Sequence, residues 1–258
     1  MRSIRVYLAA LATVFAGLVL LGGMATTASA KPKKLKAAPK ITSKAPYTAR
    51  GSVGDAYVKG ATPGTKLLLV NSNNKIVRTG KADSYGSEIF YDVAPGKVFT
   101  VRTPKGKGSQ GTKSFKVLKP GANPPQSFYD KIELKQGLNF VKMRDGVEIA
   151  MTVRLPMGKT LADGPFPTYI EYSGYQTAAP HDLLTSILAG LGGNPPPPDP
   201  LTPASSTAVG SVIGPLLDFA TVSVQMRGSG CSGGAFDLFG WPTSFDGYDV
   251  VEAVAAQD

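Results

Sequence analysis

Between Tyr47 and Leu118, apolar and polar residues alternate in short runs, and each run is closed by turn formers. YTARGSV, TKLLLVN, KIVRTGKA, SEIFYDV, KVFTVRT and TKSFKVL read as strands, because a period of two sends successive side chains to opposite faces of a sheet. ATPG, NSNN, DSYG, APG and PKGKGSQG separate them. Six short strands at this spacing predict a small antiparallel β-sandwich over residues 47–118. KLLLVNSNNKIVRT predicts a hairpin whose Asn-rich tip tolerates positive φ.

The pattern changes after residue 129. LNFVKM and VEIAMTVRLP flank Arg144-Asp145-Gly146, and Asp-Gly between two β-rich runs predicts a tight reversal. TYIEY follows as a strand, and FATVSVQM is apolar on most positions, as a strand buried on both faces requires. HDLLTSILAGLGG predicts a short apolar helix, and NPPPPDPLTPASS after it excludes regular structure. In TSFDGYDVVEAVAAQD, Thr243 or Ser244 is the expected N-cap, with Val250, Val251, Val254 and Ala255 at helical spacing. Hairpin, strand, excursion, strand and helix in that order predict an antiparallel edge running into an α/β sheet over residues 129–258.

The remaining segments connect or export. Arg2 and Arg5 precede an apolar run from Val6 to Leu21, and Ala28-Ser29-Ala30 fits a cleavage site, so residues 1–30 read as a secretory signal peptide. Residues 31–46 are Lys, Ala and Pro with little to bury, a basic disordered leader. Prolines 120, 124 and 125 make 119–128 a stiff linker. A secreted or envelope location follows from the signal.

Charge sharpens the division. Of the net +10, the leader contributes six lysines and no acid; residues 45–119 hold thirteen basic and four acidic side chains, and residues 120–258 seven basic and fourteen acidic. A basic front on an exported protein suits an anionic cell-envelope polymer. No recognition motif accompanies the charge, so nucleic acid is not an expected partner. No metal-ligand cluster is present in the sequence, and no cofactor is expected.

Cys231 is the single cysteine and cannot form an intramolecular bridge. It lies where two motifs overlap: Gly230-Cys231-Ser232-Gly233-Gly234 matches G-x-S-x-G, and Gly228, Gly230 and Gly233 match G-x-G-x-x-G. Both motifs need a helix to start at once, yet the chain continues GGAFDLFGWP. The one histidine, His181, precedes Ser232, against the order nucleophile, acid, histidine. Ser232 is therefore read as a bend residue beside a site rather than a nucleophile.

MRDGVEIAMTVRLP, PFPTYIEYSGY, FATVSVQMRGSGCSGGAFDLFG and TSFDGYDVVEAVAAQD resemble, in that order, the start of the catalytic domain of the cocaine esterase / X-Pro dipeptidyl-peptidase-like serine hydrolases. The resemblance covers residues from about 138 to 258, on motif order. It implies a truncated α/β-hydrolase fold behind the all-β module, and a Ser-His-Asp triad acting on a small acyl or peptide substrate. It places Tyr175 as an oxyanion-hole donor and gives Arg227 and the following glycines a loop-shaping role. An acidic residue commonly stands two positions before that Arg; here it is Gln225. The resemblance also implies that nucleophile, acid and histidine lie beyond this chain, which is then inactive as given. The alternative expectation is a non-catalytic envelope-binding protein that works through its basic sandwich.

Overall fold

The computed structural model describes residues 35–104, 108–174 and 213–257, and thirteen strands form among them. In the front half, β1 (Ile41–Lys44), β2 (Thr48–Gly51), β3 (Ala56–Lys59), β4 (Lys66–Asn71), β5 (Ile76–Lys81), β6 (Glu88–Phe90), β7 (Val98–Arg102), β8 (Ser109–Gly111) and β9 (Phe115–Lys116) make two sheets. One has the order β1-β8-β7-β4-β5, with β9 also on β7; the other is β2-β3-β6. Alternate residues point between the sheets: Leu67 and Leu69 of β4, Val58 of β3 and Val101 of β7 are all at most 1 % exposed. Burying a Leu or Val side chain stabilises by about 1.5–3 kcal/mol, so these few positions fix the register.

Four features of the front half differ from the expectation. β3 lies outside the six expected runs, and β8 falls within PKGKGSQG, read as a break. β1 pairs with β8 in parallel, so the larger sheet is mixed rather than antiparallel. The chain from Ile41 to Lys44, in the segment read as leader, is strand, because β8 offers it a backbone ladder even though all four of its residues are exposed. Backbone pairing needs no apolar side chain, so the composition of that segment did not reveal it.

In the rear half, β10 (Gly137–Lys142), β11 (Glu148–Arg154), β12 (Thr168–Ser173) and β13 (Ala220–Gln225) form one sheet in the order β10-β11-β13-β12. β10–β11 and β11–β13 are antiparallel and β12–β13 is parallel. β13 is buried along its whole length. Gly146, at φ 85°, closes the β10–β11 reversal by donating its amide to Met143 O at 2.8 Å.

The α/β class expected for this half is not what forms, and the α/β-hydrolase reading of the fold is corrected accordingly. Among the described residues the protein is mostly β, with three sheets, mixed and antiparallel, and two helices, α1 (Gln126–Tyr129) and α2 (Trp241–Ala255). Strands and helices do not alternate. β10 passes to β11 through a tight turn, and β11 passes to β12 through a Pro- and Gly-containing connection with only a 3₁₀ turn at Leu161–Asp163. Among the described residues only β13 runs on into a long helix. The apolar run 181–193, read as a helix, lies outside the described residues. So does the apolar run 6–21; among the described residues no helix is long and apolar enough to cross a membrane.

α2 starts at Trp241, two residues before the expected cap, with Pro242 in its first turn, where a missing N–H costs nothing. Its buried positions are Pro242, Thr243, Asp246, Asp249, Val250 and Ala253, whereas Val251 is 52 % exposed. The helix is thus rotated from the valine stripe toward its two aspartates, and the reason lies in their partners.

Residues 36–258 make one compact unit. The linker does not hold the halves apart: it ends in α1, whose Tyr129 is 2 % exposed. Tyr57 of β3 packs into the rear core and donates its hydroxyl to Asp145 O at 2.9 Å.

Candidate functional site

The four segments that carry the resemblance meet in the structure. Arg144 and Asp145 come from the β10–β11 turn, Tyr172 from β12, Arg227 from the end of β13, and Asp246 and Asp249 from α2. Arg227 is the hub. Its Nε and Nη2 donate to the two carboxylate oxygens of Asp246, each at 2.6 Å, and its Nη1 donates to Asp145 Oδ2 at 3.0 Å. All three residues are at most 6 % exposed. Asp145 also accepts the Ser52 hydroxyl from the front half and the Val147 amide at 3.0 Å. One carboxylate therefore ties the sandwich, the turn and the end of β13 together. Burial acts to lower the pKa of Arg227, but the hydrogen bonds to Asp246 and the charges of Asp145 and Asp246 outweigh it and hold the guanidinium above its ordinary value.

A second hub adjoins it. Asp249 accepts the Tyr129 hydroxyl at 2.7 Å, the Arg144 amide at 3.0 Å and Arg144 Nη2 at 2.7 Å. The Arg144 guanidinium lies 4.7 Å from the Phe245 ring and 5.3 Å from the Tyr248 ring, within cation–π range of both. Burial and the hydrogen bond to Asp249 push the Tyr129 phenol up. These pairings explain the rotation of α2: a helix face bearing Asp246 and Asp249 is buried because each meets an arginine fork with matching geometry.

The Gly228–Gly234 loop is held as a structural bend. Gly228 has φ 72°, and a Cβ there would lie 2.0 Å from the Phe236 amide nitrogen, so only glycine fits. Ser232 Oγ donates to Gln225 O at 2.7 Å and accepts the Ala150 amide at 2.8 Å. Both capacities of the hydroxyl are spent on backbone, which makes it a strut between β13 and β11 rather than an activated nucleophile. We expect Ser232→Ala to destabilise the protein by about 2 kcal/mol, read by denaturant unfolding, since it leaves buried backbone groups unpaired. A destabilisation below about 0.5 kcal/mol, the range of an ordinary surface change, would contradict the strut. Gln225 carries no charge pairing: its Oε1 accepts the Cys231 amide at 2.6 Å, while Arg227 takes its acids from Asp145 and Asp246.

The carboxyl ends of the parallel strands β12 and β13 emerge side by side at this loop. Met226 N donates to Ser173 O at 2.9 Å, and Gly174 abuts the Phe236 ring. Tyr175, the expected oxyanion donor, and His181 lie outside the described residues. Tyr172, three residues earlier, donates its hydroxyl to Thr243 O at 2.7 Å and fixes β12 against α2. Among the described residues no group of three His, Cys, Asp or Glu side chains could hold a metal ion.

A further titratable group sits where the halves meet. Burial pushes the Asp55 carboxyl up to about 6; the Asp92 amide opposes this, and the charges of Asp92 and Asp237 add to it. The protonated form is favoured in the folded chain. That contribution to stability is complete below about pH 4 and is lost as pH rises through about 6. The displacement amounts to about 3 kcal/mol for a fully buried group, reduced to about 1 kcal/mol by solvent around this half-buried carboxyl. Melting curves of the parent and Asp55→Asn from pH 4 to 7 check this: the variant gains on the parent as pH rises, and parallel curves would contradict it.

Sequence reasoning placed the turn and the loop but missed the two ion-pair hubs. The available signal was a pair of aspartates at i and i+3 on a helix that also carries the valines. No family model matches the chain, and no curated protein matches it. Among solved structures, one described as a myokine structure aligns over 32 % of this chain and 97 % of its own length, at 14 % identity and a TM-score of 0.21, and carries no argument about fold or function.

Proposed function

We propose that the chain belongs to an exported serine hydrolase that transfers an acyl group from an ester or amide, of the cocaine esterase / X-Pro dipeptidyl-peptidase type, to water. One observation carries the reading: three of the four segments whose order resembles that family are joined by buried ion pairs, Arg227 with Asp145 and Asp246 and Arg144 with Asp249, and the fourth by the Tyr172 hydroxyl on Thr243 O. A chance likeness gives no reason for the charged residues of three of these segments to be partners. This reading puts the substrate at the adjacent carboxyl ends of β12 and β13, next to Gly174 and the Gly228–Gly234 bend. In this reading Tyr175 donates its phenolic hydrogen to the oxyanion that develops when a serine attacks the acyl carbonyl, and the Arg227 hub fixes the bend beside it. The described residues act by positioning; none of them is assigned as the nucleophile.

The test is turnover of p-nitrophenyl esters and of Gly-Pro-p-nitroanilide, with a fluorophosphonate probe, on the protein as its source cells export it. Turnover that falls about 100-fold in Tyr175→Phe, without loss of stability, supports the assignment. Absence of both turnover and labelling would overturn the hydrolase reading, and labelling at Ser232 would overturn the role given to the bend.

A further inference from the structure

The larger front sheet carries a basic outer face. No acidic residue occurs in β1, β4, β5, β7, β8 or β9, the six strands of that sheet. Lys66 and Lys81 stand directly opposite each other on β4 and β5. Like charges in that relation repel, at a Cβ separation of about 5 Å. Together with Thr79 and the backbone of Gly64 and Gly80 they line an open depression of ≈ 500 Å³. The register leads across the sheet from Thr79 to Leu68, Arg102, Gly111 and Lys44, but the middle of this row is covered: Leu68 is 5 % exposed under Ala38, and Gly111 lies under the Ile41 side chain. Residues 36–40 cross one end of this face, where Arg102 donates to Pro39 O at 2.8 Å and to Asn74 Oδ1 at 2.6 Å. The other end, with Lys66 and Lys81, is uncovered.

The acids of the front half are elsewhere. Asp55, Asp83 and Asp92 sit in connections, and Glu88 on β6 reaches β5 from the opposite face, where it lies against Gly80 and accepts the Lys81 amide at 3.0 Å. A facing lysine pair without a carboxylate on its own side is unfavourable by itself and favourable once an anion bridges it.

We propose that this face binds an extended phosphodiester polymer, with the Lys66–Lys81 depression as its principal phosphate site and Lys44 as a further contact. Charge complementarity selects the occupant. Adjacent strands lie about 4.8 Å apart, so Lys44 on β1 stands about 19 Å from β5, within reach of an extended chain that passes over residues 36–41. Ammonium groups act as point-charge phosphate binders, and Thr79 adds a neutral donor. The surface is distinct from the β12–β13 site, so the proposal stands whether or not the hydrolase reading holds.

The experiment is binding of poly(glycerol phosphate), a phosphodiester polymer, to the full chain, titrated from 50 to 300 mM salt. The parent binds with an affinity that falls steeply with salt. Lys44→Gln/Lys66→Gln/Lys81→Gln weakens it at least about 10-fold and lowers the slope of log K against log salt by about 2, three contacts at about 0.7 each. Lys59→Gln/Lys97→Gln/Lys131→Gln, which removes the same charge from other surfaces, stays within 2-fold. Melting temperature serves as the control for folding, and Lys81→Gln alone raises it by relieving the facing pair. Equal weakening by both triple variants, absence of binding at 50 mM salt, or equally tight binding of polygalacturonate or of anionic vesicles would overturn the proposal.

Discussion

Arg227→Ala lowers the unfolding free energy by about 3–5 kcal/mol, because it leaves two buried carboxylates without their counter-charge. Asp246 loses both of its hydrogen bonds from Arg227 and Asp145 loses its bond from Arg227 Nη1, at positions 1 % and 5 % exposed. The damage spreads across the molecule, since Asp145 also holds Ser52 of the front half. Denaturant unfolding followed by both far-ultraviolet circular dichroism and Trp241 fluorescence measures it. Arg227→Lys recovers only part of the loss: one ammonium cannot fork across both oxygens of Asp246 and still reach Asp145. A destabilisation below about 1 kcal/mol would mean that the carboxylates find water or protonate readily, and that the hub does not hold the halves together.

Asp249→Ala has the second largest expected effect, again about 3–5 kcal/mol, for removing one partner of a buried pair. The orphaned groups are then the Arg144 guanidinium and the Tyr129 hydroxyl, both of which point at Asp249. The Phe245 and Tyr248 rings retain some hold on the arginine, which places this variant at the lower end of the range. Asp249→Asn keeps an acceptor for Tyr129 and loses about half as much, on the difference between neutral and charge-assisted hydrogen bonds. Thermal melting of the two variants checks the order; an Asn variant as unstable as the Ala variant would assign the effect to charge alone. Because Asp249 lies on α2 and Tyr129 on α1, the loss also frees the end of the linker from the helix.

Both predictions rest on residues that could be read in the sequence but not understood there. Arg144-Asp145-Gly146 was legible as a turn because Asp-Gly between β-rich runs has a local cause. Most strands of the front half were legible for the same kind of reason: alternation and turn residues act within a few positions. β1 was not, since its residues are exposed and its support comes from β8, far along the chain. The bend at Gly228–Gly234 was legible as something other than an elbow, because no helix pattern follows it. What Ser232 does there was not, since its partners are the Gln225 carbonyl and the Ala150 amide, one of them on another strand.

The overextended reading was the α/β class of the rear half. A strand buried on both faces and a helix after it suggested continued alternation, whereas the described chain uses tight turns and a 3₁₀ connection to build a mixed, mostly β structure. The valine stripe on α2 misled in the same direction. Hydrophobic spacing decides which helix face is buried only when no ion pair competes, and here Arg144 and Arg227 draw the aspartate face inward.

Local chemistry in the sequence determined where most strands and turns form, that the front half is basic, and that Ser232 lacks the context of a nucleophile, because each of these depends on neighbours a few residues away. The tertiary structure alone decided which charges are buried together, how α2 is rotated, and that lysines from different strands share one face. Those outcomes depend on pairing between segments far apart in the chain, where the free energy of a buried charge is set by the partner that folding brings to it.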